Sequence, residues 1–110
     1  MNEEIIALEV LQEVIKKEVG VLVYFSTPTC NVCHALKPKI SQEFEENFTK
    51  IKQVFIDSSL TPEIPAHFNV FSVPTILVFL DSKEFARESR NVSVPLLVNN
   101  IERVYKILLS

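Results

Sequence analysis

The chain has 110 residues, of which 47% are hydrophobic and 23% charged, and its formal net charge is −3. That length suits one domain with its own core, and the composition excludes a disordered chain. The acidic balance lacks the basic stripe of a nucleic-acid footprint, and no apolar run approaches the ~20 residues that cross a bilayer.

The first segment carries Leu8, Leu11, Val14 and Ile15 at helical spacing, with Gly20 after a last turn containing Lys16 and Lys17. Ile5-Ile6-Ala7 fits either a short first strand or the opening turn of that helix. Val21 to Ser26 reads as a buried strand. Beyond it, Val32, Leu36, Ile40, Phe44 and Phe48 recur every four residues and predict one buried face of a helix from Asn31 to about Phe48. Lys52 to Asp57 is a second strand. Thr61-Pro62-Glu63 reads as an N-cap with proline at the first helical position, opening a short helix to about Phe68. Thr75 to Leu80 is a third buried strand. Asp81-Ser82-Lys83 is a turn, which makes Glu84 to Ser89 its hairpin partner and an edge strand. Ser93 caps a last helix striped by Val94, Leu97, Val98, Ile101, Val104, Tyr105 and Leu108. Strands alternating with helices call for a parallel sheet core with helices on both faces, and the closing hairpin adds an antiparallel edge. Gly20 is the only glycine, so the turns must use Pro, Asn, Asp and Ser.

The two cysteines are Cys30 and Cys33, spaced C-x-x-C directly after the first buried strand. Both fall in the first turn of the following helix, where free backbone N–H groups and the helix dipole favour a thiolate. Cys30 would be the exposed nucleophile. Cys33, one turn in, would stay a thiol until it resolves the mixed disulfide. The acidic start Met1-Asn2-Glu3-Glu4 is unlike the basic head of a signal peptide, so a cytoplasmic location is expected. In a reducing compartment a catalytic or metal role is more natural for the pair than a static staple. A structural or unused thiol pair is the alternative. His34 completes C-x-x-C-H, a haem-attachment signature, but haem would require export and a second axial ligand, and the only Met and the only other His are Met1 and His67. A zinc site is disfavoured by a His spacing of about thirty residues, where three to five is usual.

Three features together resemble the thioredoxin family over nearly the whole chain. One is Tyr24-Phe25-Ser26-Thr27-Pro28-Thr29-Cys30-Asn31-Val32-Cys33. Another is Pro38, five residues after Cys33 and inside the helix, where it should kink the axis near the His34 carbonyl. The third is Val70-Phe71-Ser72-Val73-Pro74-Thr75 running into an apolar strand. The resemblance implies a thioredoxin fold, an α/β class with a mixed central sheet of four or five strands, over residues 1–110 as one domain. It implies a cis Val73-Pro74 bond beside the cysteines, with Val73 offering its backbone to an extended substrate. It also implies thiol–disulfide exchange without metal or organic cofactor, on disulfide-containing protein substrates. Electrons would come from a thiol reductase or a low-molecular-weight thiol.

Four departures stand out. Thr29 takes the place of the family's tryptophan before the first cysteine. Asn31 and Val32 replace Gly-Pro between the pair. Tyr24 replaces the buried acid held to help deprotonate the resolving cysteine, and its unperturbed pKa of about 10 makes it a poor base. A glycine usual before the last helix is replaced around Asn91. Thr29, Val73 and Pro74 are therefore the candidate substrate contacts, and Tyr24, Asn31, Val32 and His34 the candidate tuning residues. These departures leave a second reading open: a thioredoxin-fold adaptor whose groove beside Pro74 binds a partner without turnover.

Overall fold

The computed structural model describes residues 2–5 and 7–110, with the backbone alone for 2 and 3. Among the described residues five strands are formed: β1 (Asn2–Glu4), β2 (Gly20–Ser26), β3 (Ile51–Asp57), β4 (Thr75–Leu80) and β5 (Lys83–Glu88). Four helices lie between and after them: α1 (Leu8–Lys17), α2 (Asn31–Asn47), α3 (Glu63–His67) and α4 (Val94–Leu109). They build one sheet in the order β1-β3-β2-β4-β5. The β1-β3 and β3-β2 pairs are parallel, and the β2-β4 and β4-β5 pairs are antiparallel.

Period-two alternation sends side chains of each central strand to opposite faces. Val21, Val23 and Phe25 of β2 join Val54, Ile56, Leu77 and Phe79 in one core, closed by Leu11 and Ile15 of α1 and Ile64 of α3. Leu22 and Tyr24 face the other way with Ile51, Ile76, Val78 and Leu80, closed by Ile40 and Phe44 of α2 and Leu97, Ile101 and Tyr105 of α4. The aromatic side chains of the second core meet edge to face: Phe44 on Phe48 at 5.2 Å and Phe48 on Tyr105 at 4.9 Å between centroids. Burial on both faces explains why β2 and β4 read as continuous apolar runs.

Several local expectations are corrected. The first strand lies at Asn2–Glu4, ahead of residues 5–7; of these, Ile6 lies outside the described residues. The first helix ends at a cap on Glu18, and Gly20 is the first residue of β2. Its small size is what matters there, since a Cβ at Gly20 would stand 2.8 Å from Ile51 Cγ1 and 3.1 Å from Leu80 Cδ2. The short third helix starts at Glu63, with Pro62 at the cap position. The Thr61 hydroxyl instead donates to the Asp57 carbonyl at 3.2 Å. On α2 the buried face runs through Cys33, Ile40 and Phe44, while Val32 is exposed. In the hairpin, Asp81 and Ser82 take the left-handed conformation at φ 53° and 68°. Two such residues give the backbone twist a two-residue hairpin requires, here without glycine. β5 forms the expected edge, its side chains mostly exposed and charged.

Candidate active site

Three loops meet at one end of the sheet. β2 ends at Ser26 and passes through Thr27 to Thr29 into α2. The Cys30 N–H donates to the Thr27 carbonyl at 3.2 Å, closing that turn. β3 ends at Asp57, and the Ser58 N–H donates across to the Ser26 carbonyl at 2.9 Å. The third loop precedes β4, whose first residue, Thr75, is paired with Phe25 near the end of β2. Thr27, Ser58, Ser59, Phe71, Ser72 and Val73 therefore line a common cavity of about 290 Å3.

Cys30 and Cys33 form a disulfide with Cα atoms 5.3 Å apart. Cys30 is the N-cap of α2, and its sulfur accepts the Cys33 N–H at 3.2 Å. The helix thus satisfies one of its free N–H groups with the sulfur that would carry negative charge on reduction. No acidic side chain sits in the first turn of α2 to oppose that charge. Exposure differs between the two sulfurs' residues: Cys33 is 1% exposed, whereas Cys30 is half-buried. Thr29, Asn31, Val32 and His34 surround the pair at the surface.

The tuning candidates are placed as follows. The Tyr24 ring is buried under α2, and its hydroxyl donates to the Cys33 backbone carbonyl at 2.7 Å. Burial pushes its phenol up to about 12. A group that holds its proton so firmly cannot accept one at neutral pH. Phe55, paired with Tyr24 in register, meets it edge to face at 6.2 Å, and the Lys37 ammonium lies 4.2 Å over the Phe55 ring. His34 Nε2 lies 2.9 Å from the Pro28 carbonyl, and a carbonyl only accepts, so Nε2 carries the proton. That bond ties the helix back to the loop before Cys30. His67 stands apart from this cluster, hydrogen-bonded to Gln12 at 3.3 Å and stacked edge-on against Phe68.

Pro38 lies inside α2, as expected from its spacing. The Val73-Pro74 bond is cis. Pro74 is buried, and the Thr75 hydroxyl donates to the Ser72 carbonyl at 2.7 Å, closing the turn around it. Val73 and Cys30 both pack against the core cluster that holds Tyr24 and Cys33. Sequence reasoning missed Ser58, whose buried hydroxyl oxygen finds no hydrogen-bond partner among the described residues, and Arg87, which anchors the cis-proline loop from β5. The Arg87 guanidinium donates to the Phe68 carbonyl at 2.7 Å and the Asn69 carbonyl at 3.1 Å while paired with Glu84 at 2.9 Å. Neither signal is local in sequence.

Comparison with known proteins gives the same result. The thioredoxin family model matches residues 4–103. The chain belongs to the thioredoxin family. It is 35% identical over 97 residues to the thioredoxin-like protein YdfQ of Bacillus subtilis, covering 88% of this chain and 86% of that one. Among solved structures, thioredoxin 1 of Thermosipho africanus is 33% identical, with a TM-score of 0.71 over 82% of this chain and 99% of that one. A mutant thioredoxin from Halobacterium salinarum is 22% identical and shares the fold, with a TM-score of 0.80 over 93% of this chain and 88% of the other. Family membership and a C-x-x-C pair at bonding distance give this thioredoxin-family chain a thiol–disulfide oxidoreductase function. Among the described residues, no helix is long and apolar enough to cross a membrane.

Proposed function

We propose that residues 1–110 form a single thioredoxin-like domain acting as a protein-disulfide oxidoreductase in the cytoplasm, with Cys30 as nucleophile and Cys33 as resolving thiol. The observation that carries this is the unequal burial of two bonded sulfurs at a helix start, with Cys33 1% exposed and Cys30 half-buried. In the reduced protein the Cys30 thiolate attacks one sulfur of a substrate disulfide. A new S–S bond forms, and the other substrate sulfur leaves as a thiolate that takes up a proton. Cys33 then loses its proton and attacks the Cys30 sulfur, releasing the second substrate thiol and leaving the Cys30–Cys33 disulfide. A thiol reductase or a low-molecular-weight thiol returns two electrons to start the next cycle. Val73 and Pro74 give the substrate backbone a one-residue strand partner, and Thr29 borders it. His34, through Pro28, and Tyr24, through the Cys33 carbonyl, hold the loop and the helix turn that carry the two sulfurs.

A coupled disulfide-reduction assay tests the reading. Turnover with the native protein and none after alkylation of both thiols is the expected result. Binding of a disulfide protein that survives alkylation, with no turnover before it, would establish the adaptor instead.

A further inference from the structure

The charged edge strand β5 carries one side chain that reaches across to the loop before the cis-proline. Arg87 Nη2 donates to the Phe68 carbonyl at 2.7 Å, and Nη1 donates to the Asn69 carbonyl at 3.1 Å. On its other flank Nε and Nη2 donate to the two carboxylate oxygens of Glu84, each at 2.9 Å. In a regular strand, residues three apart face opposite sides. Here Glu84 pairs with Phe79 and Ala86 with the adjacent Val78, so Phe85 is the extra residue of a β-bulge. The bulge returns Arg87 to the side of Glu84. An exposed ion pair contributes little to stability, so the value of this fork lies in where it aims the guanidinium.

Phe68 and Asn69 follow α3 and turn the chain toward the cis-proline. Asn69 takes the left-handed conformation at φ 57°, and the Val70 N–H returns to the Pro65 carbonyl at 2.8 Å. From Asn69 to Ser72 the loop borders a hollow of about 340 Å3, whose other wall includes Arg87 and Glu88 of β5. Arg87 joins the two walls through its bond to Asn69 and so sets the distance between loop and edge strand. At the far end the Thr75 hydroxyl closes on the Ser72 carbonyl at 2.7 Å. Val73 and the cis bond to Pro74 lie between those two residues.

We propose that Arg87 is a positioning residue for dithiol exchange. Through the Phe68 and Asn69 carbonyls it holds the loop where Val73 presents its backbone to an extended substrate, and Glu84 locks the guanidinium in that pose. The inference rests on the reading of Val73 as the substrate platform. Arg87 acts through the loop, not on the reacting sulfurs. A backbone pair between Val73 and a substrate needs donor and acceptor about 3 Å apart, so a loop displaced by an ångström loses it. A disulfide without a peptide backbone makes no such pair and is indifferent to the loop. Lysine replaces Arg87 only in part, because a single ammonium lacks the planar fork that meets two carbonyls and a carboxylate together.

The test follows capture of disulfide probes on the Cys33→Ser protein by intact mass. The Cys30 thiolate attacks the probe, one half stays bound through a new S–S bond, and the other leaves as a thiolate that takes up a proton. The probes are the disulfide-linked dimer of Ala-Ala-Cys-Ala-Ala, the same dimer with N-methylated alanines on both sides of the cysteine, and hydroxyethyl disulfide. Each rate is divided by that of the same probe with free mercaptoethanol. Adding Arg87→Ala should slow capture of the plain peptide about tenfold, the scale of one net hydrogen bond, and leave the other two probes within about twofold. Arg87→Lys and Glu84→Gln are milder changes that carry the test if Arg87→Ala does not fold; each should slow the plain peptide about threefold and spare the other two probes. Arg103→Ala, an exposed arginine on α4, should leave all three rates unchanged. If the Cys33→Ser protein prefers the plain peptide to the N-methylated one, but the Arg87 variants slow all probes equally or none, the positioning role is overturned and the platform stands. Equal capture of plain and N-methylated peptides by the Cys33→Ser protein would overturn the platform and this inference with it. Failure to capture any probe would overturn the exchange chemistry itself.

Discussion

The hydroxyl of Tyr24, in the centre of β2, donates to the backbone carbonyl of Cys33 in the first turn of α2, at 2.7 Å. The strand thereby fixes the turn that carries the buried sulfur, and does so with a group that stays protonated at neutral pH. Tyr24→Phe keeps the ring and removes the bond. A loss of about 1 kcal/mol in urea unfolding is expected, the usual net worth of such a bond. The pH dependence of mixed-disulfide resolution should keep its shape, because no base has been removed. A lost inflection in that profile would show Tyr24 taking part in proton transfer.

The same phenol sets an alkaline limit. Burial holds its folded pKa at about 12, above the ordinary tyrosine value of 10.0. The folded state therefore holds the proton more tightly than the unfolded chain does. The resulting stabilisation is fully present below pH 10 and is lost as pH rises through 12. Urea midpoints measured from pH 9 to 12 should fall more steeply for the native protein than for Tyr24→Phe.

Most of the layered fold was legible because its signals are periodic. The apolar runs of β2 and β4 and the stripe of α4 follow from burial patterns confined to one element. β1 was not legible: Asn2-Glu3-Glu4 has no apolar alternation, and the strand exists through backbone pairing of Asn2 to Glu4 with Gln53 to Phe55 of β3. Val32 misled as the start of the α2 stripe because one residue of helix turns the face by about 100°, and Cys33 holds the inward position instead. At the site, the C-x-x-C pair and the cis-proline are written in contiguous residues. The Tyr24–Cys33 bond, the Arg87 anchors and the unpartnered Ser58 depend on how distant segments pack, which no local pattern encodes.

Gly20 tests the packing of the sheet directly. Its φ is not positive, so a larger residue meets no backbone objection, only the Ile51 and Leu80 side chains at 2.8 and 3.1 Å. Ile51 is itself buried and cannot swing away. Gly20→Ala should destabilise by about 1–3 kcal/mol through overpacking. An unchanged thermal midpoint would mean that the β2-β3 pair yields more easily than this packing implies.

His34 offers a measure of how firmly the loop before Cys30 is held. Its Nε2 bond to the Pro28 carbonyl is exposed, so His34→Ala should cost under about 1 kcal/mol. The consequence should be local: faster amide hydrogen exchange across Thr29 and Cys30, with protection in β2 unaltered. Uniformly faster exchange through the sheet would mean the bond supports the whole fold.

Cysteine roles follow from burial. Cys30 sulfur lies at the helix start where it receives the Cys33 N–H, while Cys33 is covered on all sides. Cys33→Ser should accumulate mixed disulfides with substrates, and Cys30→Ser should accumulate none. Thr29 then decides how widely those substrates range. It is exposed and adjoins the nucleophile at a position where a tryptophan would add a large apolar contact. Each 1.4 kcal/mol of such contact is worth about tenfold in affinity. Insulin reduction at a saturating electron donor should therefore run well below that of a thioredoxin carrying the tryptophan, and Thr29→Trp should raise it by roughly tenfold or less. Slow release by Cys33 would limit the gain, because general-base help typically contributes about 10²–10⁴-fold and Tyr24 supplies none. Single-turnover kinetics separate the two: Thr29→Trp should speed formation of the mixed disulfide and leave its decay unchanged. Insulin turnover equal to that of a tryptophan-bearing thioredoxin before any substitution would show that neither Thr29 nor Tyr24 restrains this site.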